Sequence, residues 1–324
     1  MTVATGVGSM PGTDFAEALR VVVGELPDLP HLPELPERGP TATMTGRTLA
    51  LVADLGFDLQ PAGWRLTDAA GIDHRRARSL LAQDLDTLEE QLQGHAGELK
   101  VQVAGPWTLA ATVERPRGDR ILADVGARRE LAQALAEGLG GHLADVHRRV
   151  PAAHLLCQVD EPGLPAVLDG SVPTASGFHR HRSVDAPRAS EALGWVLDAV
   201  TGAGVTPLVH CCADEVPISL LRGAGATGIS LDATRLAAAS YEPLAEALDA
   251  GERVFLGVVA ATDTALDQGA VTDRVVRLLD MLGLDPDEVA DRLVLTPTCG
   301  LAGASGDYAR RVLALLHGVS QVLP

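Results

Sequence analysis

Eight short apolar runs, separated by polar turns and helical stretches, constrain this chain more than any other feature. They are Val3 to Val7, a weak proline-flanked run near His31 to Leu35, Leu99 to Ala104, His154 to Val159, Pro207 to Val209, Gly228 to Leu231, Arg253 to Val259 and Leu293 to Leu295. Between them, Phe15 to Gly24, Arg47 to Leu55, Arg75 to Leu92, Arg128 to Arg149, Ala186 to Ala203, Tyr241 to Ala250 and Asp307 to Leu323 read as helices, with Asp14 placed to cap the first. Strand runs alternating with helical patterns read as parallel βαβ units. Eight such units are the number that closes a (β/α)8 barrel, and 324 residues fit one. The expected fold class is therefore α/β, a single TIM-type (β/α)8 barrel over 1–324 with a helical insertion around 46–96. An open doubly wound sheet is the alternative. Its G-x-G-x-x-G phosphate loop is absent, because Gly6-Val-Gly8-Ser-Met is followed by Pro11.

A barrel of this kind carries its chemistry at the C-terminal ends of the strands. Ser9, Asp160, His210, Cys212, Asp232 and Cys299 all lie there. Imidazole and thiolate are the preferred ligands of zinc, and three protein ligands leave a position for substrate. His210 and Cys212 are two residues apart, so they can point the same way as the strand leaves its sheet, while Cys211 points to the other side. The competing account is three buried cysteines behaving as small hydrophobes. Asp232 is either a further ligand or the cap of the helix after it. Asp160-Glu161 is a pair of carboxylates that can bind an ammonium group, and Gly8-Ser9 offers backbone N–H groups and a hydroxyl. His179-Arg-His-Arg182 is the one dense basic cluster, on the long loop after the fourth run. It either holds an anion through arginine forks or is simply an exposed loop.

Composition removes several function classes. The net charge of −17 opposes nucleic acid, which needs clustered cations against its phosphates. Lys100 is the only lysine, so Schiff-base chemistry has one candidate, and it sits at a strand start away from the motif-bearing ends. No early positive charge precedes an apolar core at the N-terminus, and no run approaches a membrane span. Four cysteines in a chain of this size do not form a disulfide framework. A cytoplasmic protein with reduced thiols is expected.

Taken together, these runs resemble the cobalamin-independent methionine synthases, in their C-terminal, zinc-bearing barrel half, over nearly the whole chain. The family's G-S-F-P motif looks like Gly8-Ser9-Met10-Pro11, its G-P-x-T like Gly105-Pro106-Trp107-Thr108, and its D-E-P-A-L like Asp160-Glu161-Pro162-Gly163-Leu164. Its H-x-C and P-x-C-G-L motifs look like His210-Cys211-Cys212 and Pro297-Thr298-Cys299-Gly300-Leu301. The resemblance implies Zn2+ on His210, Cys212 and Cys299, with Asp232 at about the place of the family's glutamate ligand. It implies homocysteine held by Ser9 and Asp160, and a zinc-activated thiol as the methyl acceptor.

The departures concern the donor. The family's N-terminal half is missing, Thr262 replaces a histidine used in proton transfer, and Thr112 replaces a tryptophan. A family glutamate near the second strand has only Glu34 and Glu37 nearby, out of register. The methyl donor expected is therefore a folate or a methylcobalamin-carrying protein. Two rival functions are a uroporphyrinogen decarboxylase-like barrel, which needs no such metal, and a non-catalytic module that binds zinc or a thiol.

Overall fold

The computed structural model describes residues 1–323. Its strands are β1 (Val3–Ala4), β2 (Gly56–Gln60), β3 (Gly63–Thr67), β4 (Glu98–Ala104), β5 (His154–Asp160), β6 (Thr206–Cys211), β7 (Gly228–Asp232), β8 (Arg253–Val259) and β9 (Leu293–Pro297). Seven of them form one sheet in the order β1-β9-β8-β7-β6-β5-β4, with every pairing parallel. Helices connect the strands, as the alternation of patterns requires.

The sheet is curled. Arg253 on β8 pairs with Glu98 on β4 at 2.6 Å, although four strand spacings separate them along the sheet. In a flat sheet that separation is about 19 Å. This is a TIM-barrel type of architecture, and its two faces have different contents. The outer face packs on the helices in the main core. The inner face carries a small separate cluster of Leu29, Leu156, Leu208, Phe255 and Val294. Alternation with period two places Gln158, Asp160, His210 and Ser230 on that inner face too, nearer the C-terminal ends.

Between the two sheet edges runs the segment around His31 to Leu35, expected to be the second strand. It makes isolated parallel bridges, Ser9 with Glu34 and His31 with Lys100, rather than a strand. Leu32 donates to Lys100 O at 2.8 Å and Glu34 to Gly8 O at 3.1 Å. Pro30 and Pro33 have no N–H to give, so a continuous ladder cannot form there.

The region 46–96 is less helical than expected. Met44–Leu49 and Ile72–Gln91 are helices, but β2 and β3 between them form an antiparallel hairpin. A further helix, Gln268–Leu282, stands where the sequence reading placed none; Asp267 caps it by accepting from Ala270 N at 3.0 Å. Among the described residues no helix is long and apolar enough to cross a membrane.

The helix Val125–Arg149 crosses the Leu51–Ala53 backbone, where Ala53 donates to Ala134 O at 3.0 Å. A Cβ on Gly138 would lie 1.8 Å from Leu51 O, whereas one on Gly141 would meet nothing within 4 Å. Gly138→Ala is expected to destabilise the protein by about 1–3 kcal/mol through overpacking. Gly141→Ala should stabilise it by about 0.5–1 kcal/mol through helix entropy. Chemical denaturation of the two variants checks the pair, and similar stabilities would contradict the assigned crossing.

Candidate functional site

His210 ends the inner face of β6, Cys212 follows the strand, and Cys299 lies just beyond β9. Their ligand atoms all fall within 4.8 Å of one another. Cys212 Sγ and Cys299 Sγ are 3.1 Å apart, and both cysteines are free. That is far beyond the ~2.05 Å of a disulfide. The hydrogen bond from the Cys212 thiol, helped by His210, draws Cys299 down to about 4, and the same contact pushes Cys212 up.

His210 is oriented from behind. Its Nδ1 pairs with Ser230 Oγ on β7 at 2.8 Å, which leaves Nε2 for the cluster. Nε2 is buried and has no hydrogen-bond partner among the described residues. A buried imidazole nitrogen without a partner is costly unless something binds it. An unpartnered imidazole nitrogen beside two close sulfurs is a donor set that fits zinc, and the hydroxyl behind the ring is the kind of outer contact that fixes a ligating histidine. Cys211 points away, is fully buried, and is pushed by burial up to about 12.

Asp232 stays outside this three-residue cluster. Its Oδ1 accepts from Thr234 N at 2.9 Å and from Thr234 Oγ1 at 2.6 Å, and Arg235 Nε lies 3.6 Å from Oδ2. The carboxylate is used as the cap of the following turn.

The structure divides the two neighbouring acids. Asp160 belongs to the inner face and is buried near the cluster, its Oδ1 accepting from Gln158 Nε2 at 2.7 Å. Burial and the nearby Glu34 raise its pKa, while Lys100 and Gln158 oppose them. Glu161 points the other way, and the expectation that it meets substrate is corrected here. Its carboxylate accepts from Trp107 N at 2.9 Å, Thr108 N at 2.7 Å and Thr108 Oγ1 at 2.7 Å, and it is fully buried. It anchors the Gly105-Pro-Trp-Thr108 turn, and a Cβ on Gly105 would strike it at 2.3 Å.

Ser9 joins the cluster from the β1 side. A Cβ on Gly300 would lie 2.1 Å from Ser9 Oγ, and Leu301 N donates to Ser9 O at 2.7 Å. The glycine after Cys299 is thus what lets the two loops meet. Gly8 accepts from Glu34 N, and its Cα faces the Gln102 side chain. Glu34 is the group the sequence reading left unplaced. It is buried, accepts from Gln102 Nε2 at 3.3 Å and lies 3.8 Å from Arg47 Nε.

The basic loop does not join the site as a unit. His181 pairs with Asp119 at 3.2 Å, and Arg180 and Arg182 are exposed. Thr262 is in the bend after β8, where Asp263 accepts from Ser305. A groove of about 370 Å³ is lined among others by Thr234, Arg274 and Thr298, the last being the neighbour of Cys299 in the chain.

Residues 94–321 match the family model described as cobalamin-independent synthase, catalytic domain, and the chain belongs to that family. The B12-independent methionine synthase from Shewanella sp. W3-18-1, solved with selenomethionine, has a similar fold. The TM-score is 0.66 at 14% identity, covering 99% of this chain and 97% of that one. A pneumococcal exo-beta-D-N-acetylglucosaminidase module gives 0.49 at 8% identity over 99% and 83% of the two chains. A 2,3-dimethylmalate lyase gives 0.40 at 12% over 96% and 80%. No curated protein sequence matches the chain.

The geometry separates the two adjacent cysteines. Cys212→Ser is expected to abolish stoichiometric zinc binding, and Cys211→Ser to leave it intact. Metal analysis of the purified variants decides the matter, and equal zinc contents would dissolve the assigned cluster.

Proposed function

We propose that this chain is a zinc-dependent methyltransferase of the methionine synthase kind, with homocysteine as the acceptor. The proposal includes one unit over 1–324, in which the His31–Glu34 segment completes an eight-stave barrel. The observation that carries it is the buried, unpartnered His210 Nε2 beside two sulfurs 3.1 Å apart. We infer three protein ligands, His210, Cys212 and Cys299, with a position left for the substrate thiol. Asp232, already holding Thr234, supports the neighbouring turn instead. Zinc bound there supplies one thing: it lowers the pKa of a coordinated thiol, so that the nucleophilic thiolate exists at neutral pH.

The chain's own residues do the rest. Asp160 and Glu34 put two carboxylates on the inner face near the cluster, suited to an amino acid's ammonium group. Ser9 and the backbone around Gly8, which bridge to the Glu34 segment, are suited to its carboxylate. The Shewanella protein of similar fold was solved with an amino acid of the same size class, selenomethionine.

For the donor, membership in a family described as cobalamin-independent gives methylcobalamin no support as the physiological partner. A folate remains the donor of the proposal. The net charge of −17 opposes a polyanionic tail, so a monoglutamyl folate should be accepted better than a polyglutamyl one. Free methylcobalamin is useful as a reactive probe of the acceptor half alone.

Zinc-loaded protein is expected to methylate homocysteine from methylcobalamin. Absence of zinc after purification would favour a decarboxylase-like barrel, and zinc without transfer from any donor would favour a binding module. Asp160→Asn should weaken homocysteine binding by about 1.5–3 kcal/mol, one charge-assisted hydrogen bond, while zinc stays bound. Unchanged affinity would remove Asp160 from the site.

A further inference from the structure

We infer that Lys100, acting through Gln158, is a positioning residue that holds Asp160 ready for the substrate's ammonium group and so sets selectivity for amino-acid thiols. The inference rests on the homocysteine reading above. Lys100 is the only lysine in the chain and is fully buried on the inner face of β4. It reaches inward instead of remaining at the strand start. Its Nζ donates to Val7 O at 2.8 Å and to Gln158 Oε1 at 2.9 Å. Gln158 Nε2 then donates to Val7 O at 2.8 Å and to Asp160 Oδ1 at 2.7 Å.

An ammonium group only donates, which fixes the amide of Gln158. Turned over, the amide would set its NH2 against Nζ and its oxygen against the carboxylate. Lys100 thereby forces the donor end of Gln158 toward Asp160, and Asp160 cannot rotate that oxygen away without orphaning a buried donor. Each link polarises the next in a low-dielectric interior.

A purely structural filler has no need of a charge. The adjacent inner layer is aliphatic and aromatic, with Leu156, Leu208, Phe255 and Val294. Burying an ammonium group is expensive unless it is compensated. Here the compensating carboxylates are Asp160 and Glu34, the same two that face the proposed ammonium site. Burial pushes both carboxyls up, and the Lys100 ammonium opposes that rise in each of them.

The test uses zinc-loaded wild-type protein, Lys100→Met and Gln158→Leu. Each is titrated calorimetrically with homocysteine and with 4-mercaptobutanoate, which keeps the thiol and the carboxylate but lacks the amino group. Zinc content is measured alongside. Wild-type protein should prefer homocysteine. Both variants should lose roughly tenfold in homocysteine affinity, the order of one charge-assisted hydrogen bond, with 4-mercaptobutanoate and zinc unchanged. A merely structural role would weaken both thiols alike, and that result would overturn the inference. If Lys100→Met does not fold, the neutral Gln158→Leu substitution carries the same expectation. Wild-type discrimination retained in the variants overturns the relay alone. Wild-type protein that prefers neither thiol overturns the acceptor reading and the relay with it.

Discussion

Curvature of the parallel sheet is the constraint on which the site depends. Cys212 follows β6 and Cys299 follows β9, with β7 and β8 between them. In a flat sheet those positions would be about 14 Å apart; in this one the sulfurs are 3.1 Å apart. The curl in turn rests on an inner face that can be filled. Leu29, Leu156, Leu208, Phe255 and Val294 fill its lower part without polar atoms. Asp160 and His210 stand beyond this cluster toward the C-terminal ends of the strands, and Gln158 is level with Leu208 in the register.

That upper layer carries more charge than a core ordinarily tolerates. Lys100, Glu34 and Asp160 are all buried, and Arg47 and Arg38 with Asp84 stand behind Glu34. Burial lowers Lys100 to about 8 and raises both acids. A core selected only for stability would do better with apolar side chains of similar volume. Under the homocysteine proposal these groups have a use, since a zwitterionic ligand binds best where its polar partners are already desolvated and oriented.

Much of this was legible in the chain because period-two alternation and strand-end position are local signals. The gathering of His210, Cys212 and Cys299, with Cys211 turned away from them, was expected from side-chain chemistry and spacing alone. Glu161 was misread although the same alternation applied to it. Adjacent residues on a strand point to opposite faces, so Asp160 and Glu161 could not both enter the site. The hairpin β2–β3 was hidden because its alternating run, Trp64-Arg-Leu-Thr67, is short and lies between two strongly helical segments. Glu34 and Lys100 were not legible in principle. Their place depends on a proline-broken segment lodged between two sheet edges, and no local pattern encodes that contact. Lys100 starts near the foot of its strand, level with Leu156, and its long side chain spans two residues' rise to reach Gln158.

Asp232 shows how one methylene can divide a site. The resemblance placed a glutamate ligand there, and an aspartate at the same strand end is shorter by one carbon. A short acid at the end of a strand is within reach of the N–H two residues on, which is the geometry of a cap. Asp232 takes that option, binding both the N–H and the hydroxyl of Thr234. In the proposed zinc site, two sulfurs and one nitrogen would hold the metal, and one coordination position would be left without a protein ligand. Such a site would be open to an incoming thiol without any protein ligand having to leave first. On the homocysteine reading, exchange of substrate and product would then depend on the groups proposed to hold the amino-acid end, which lie among the buried charges of the inner face.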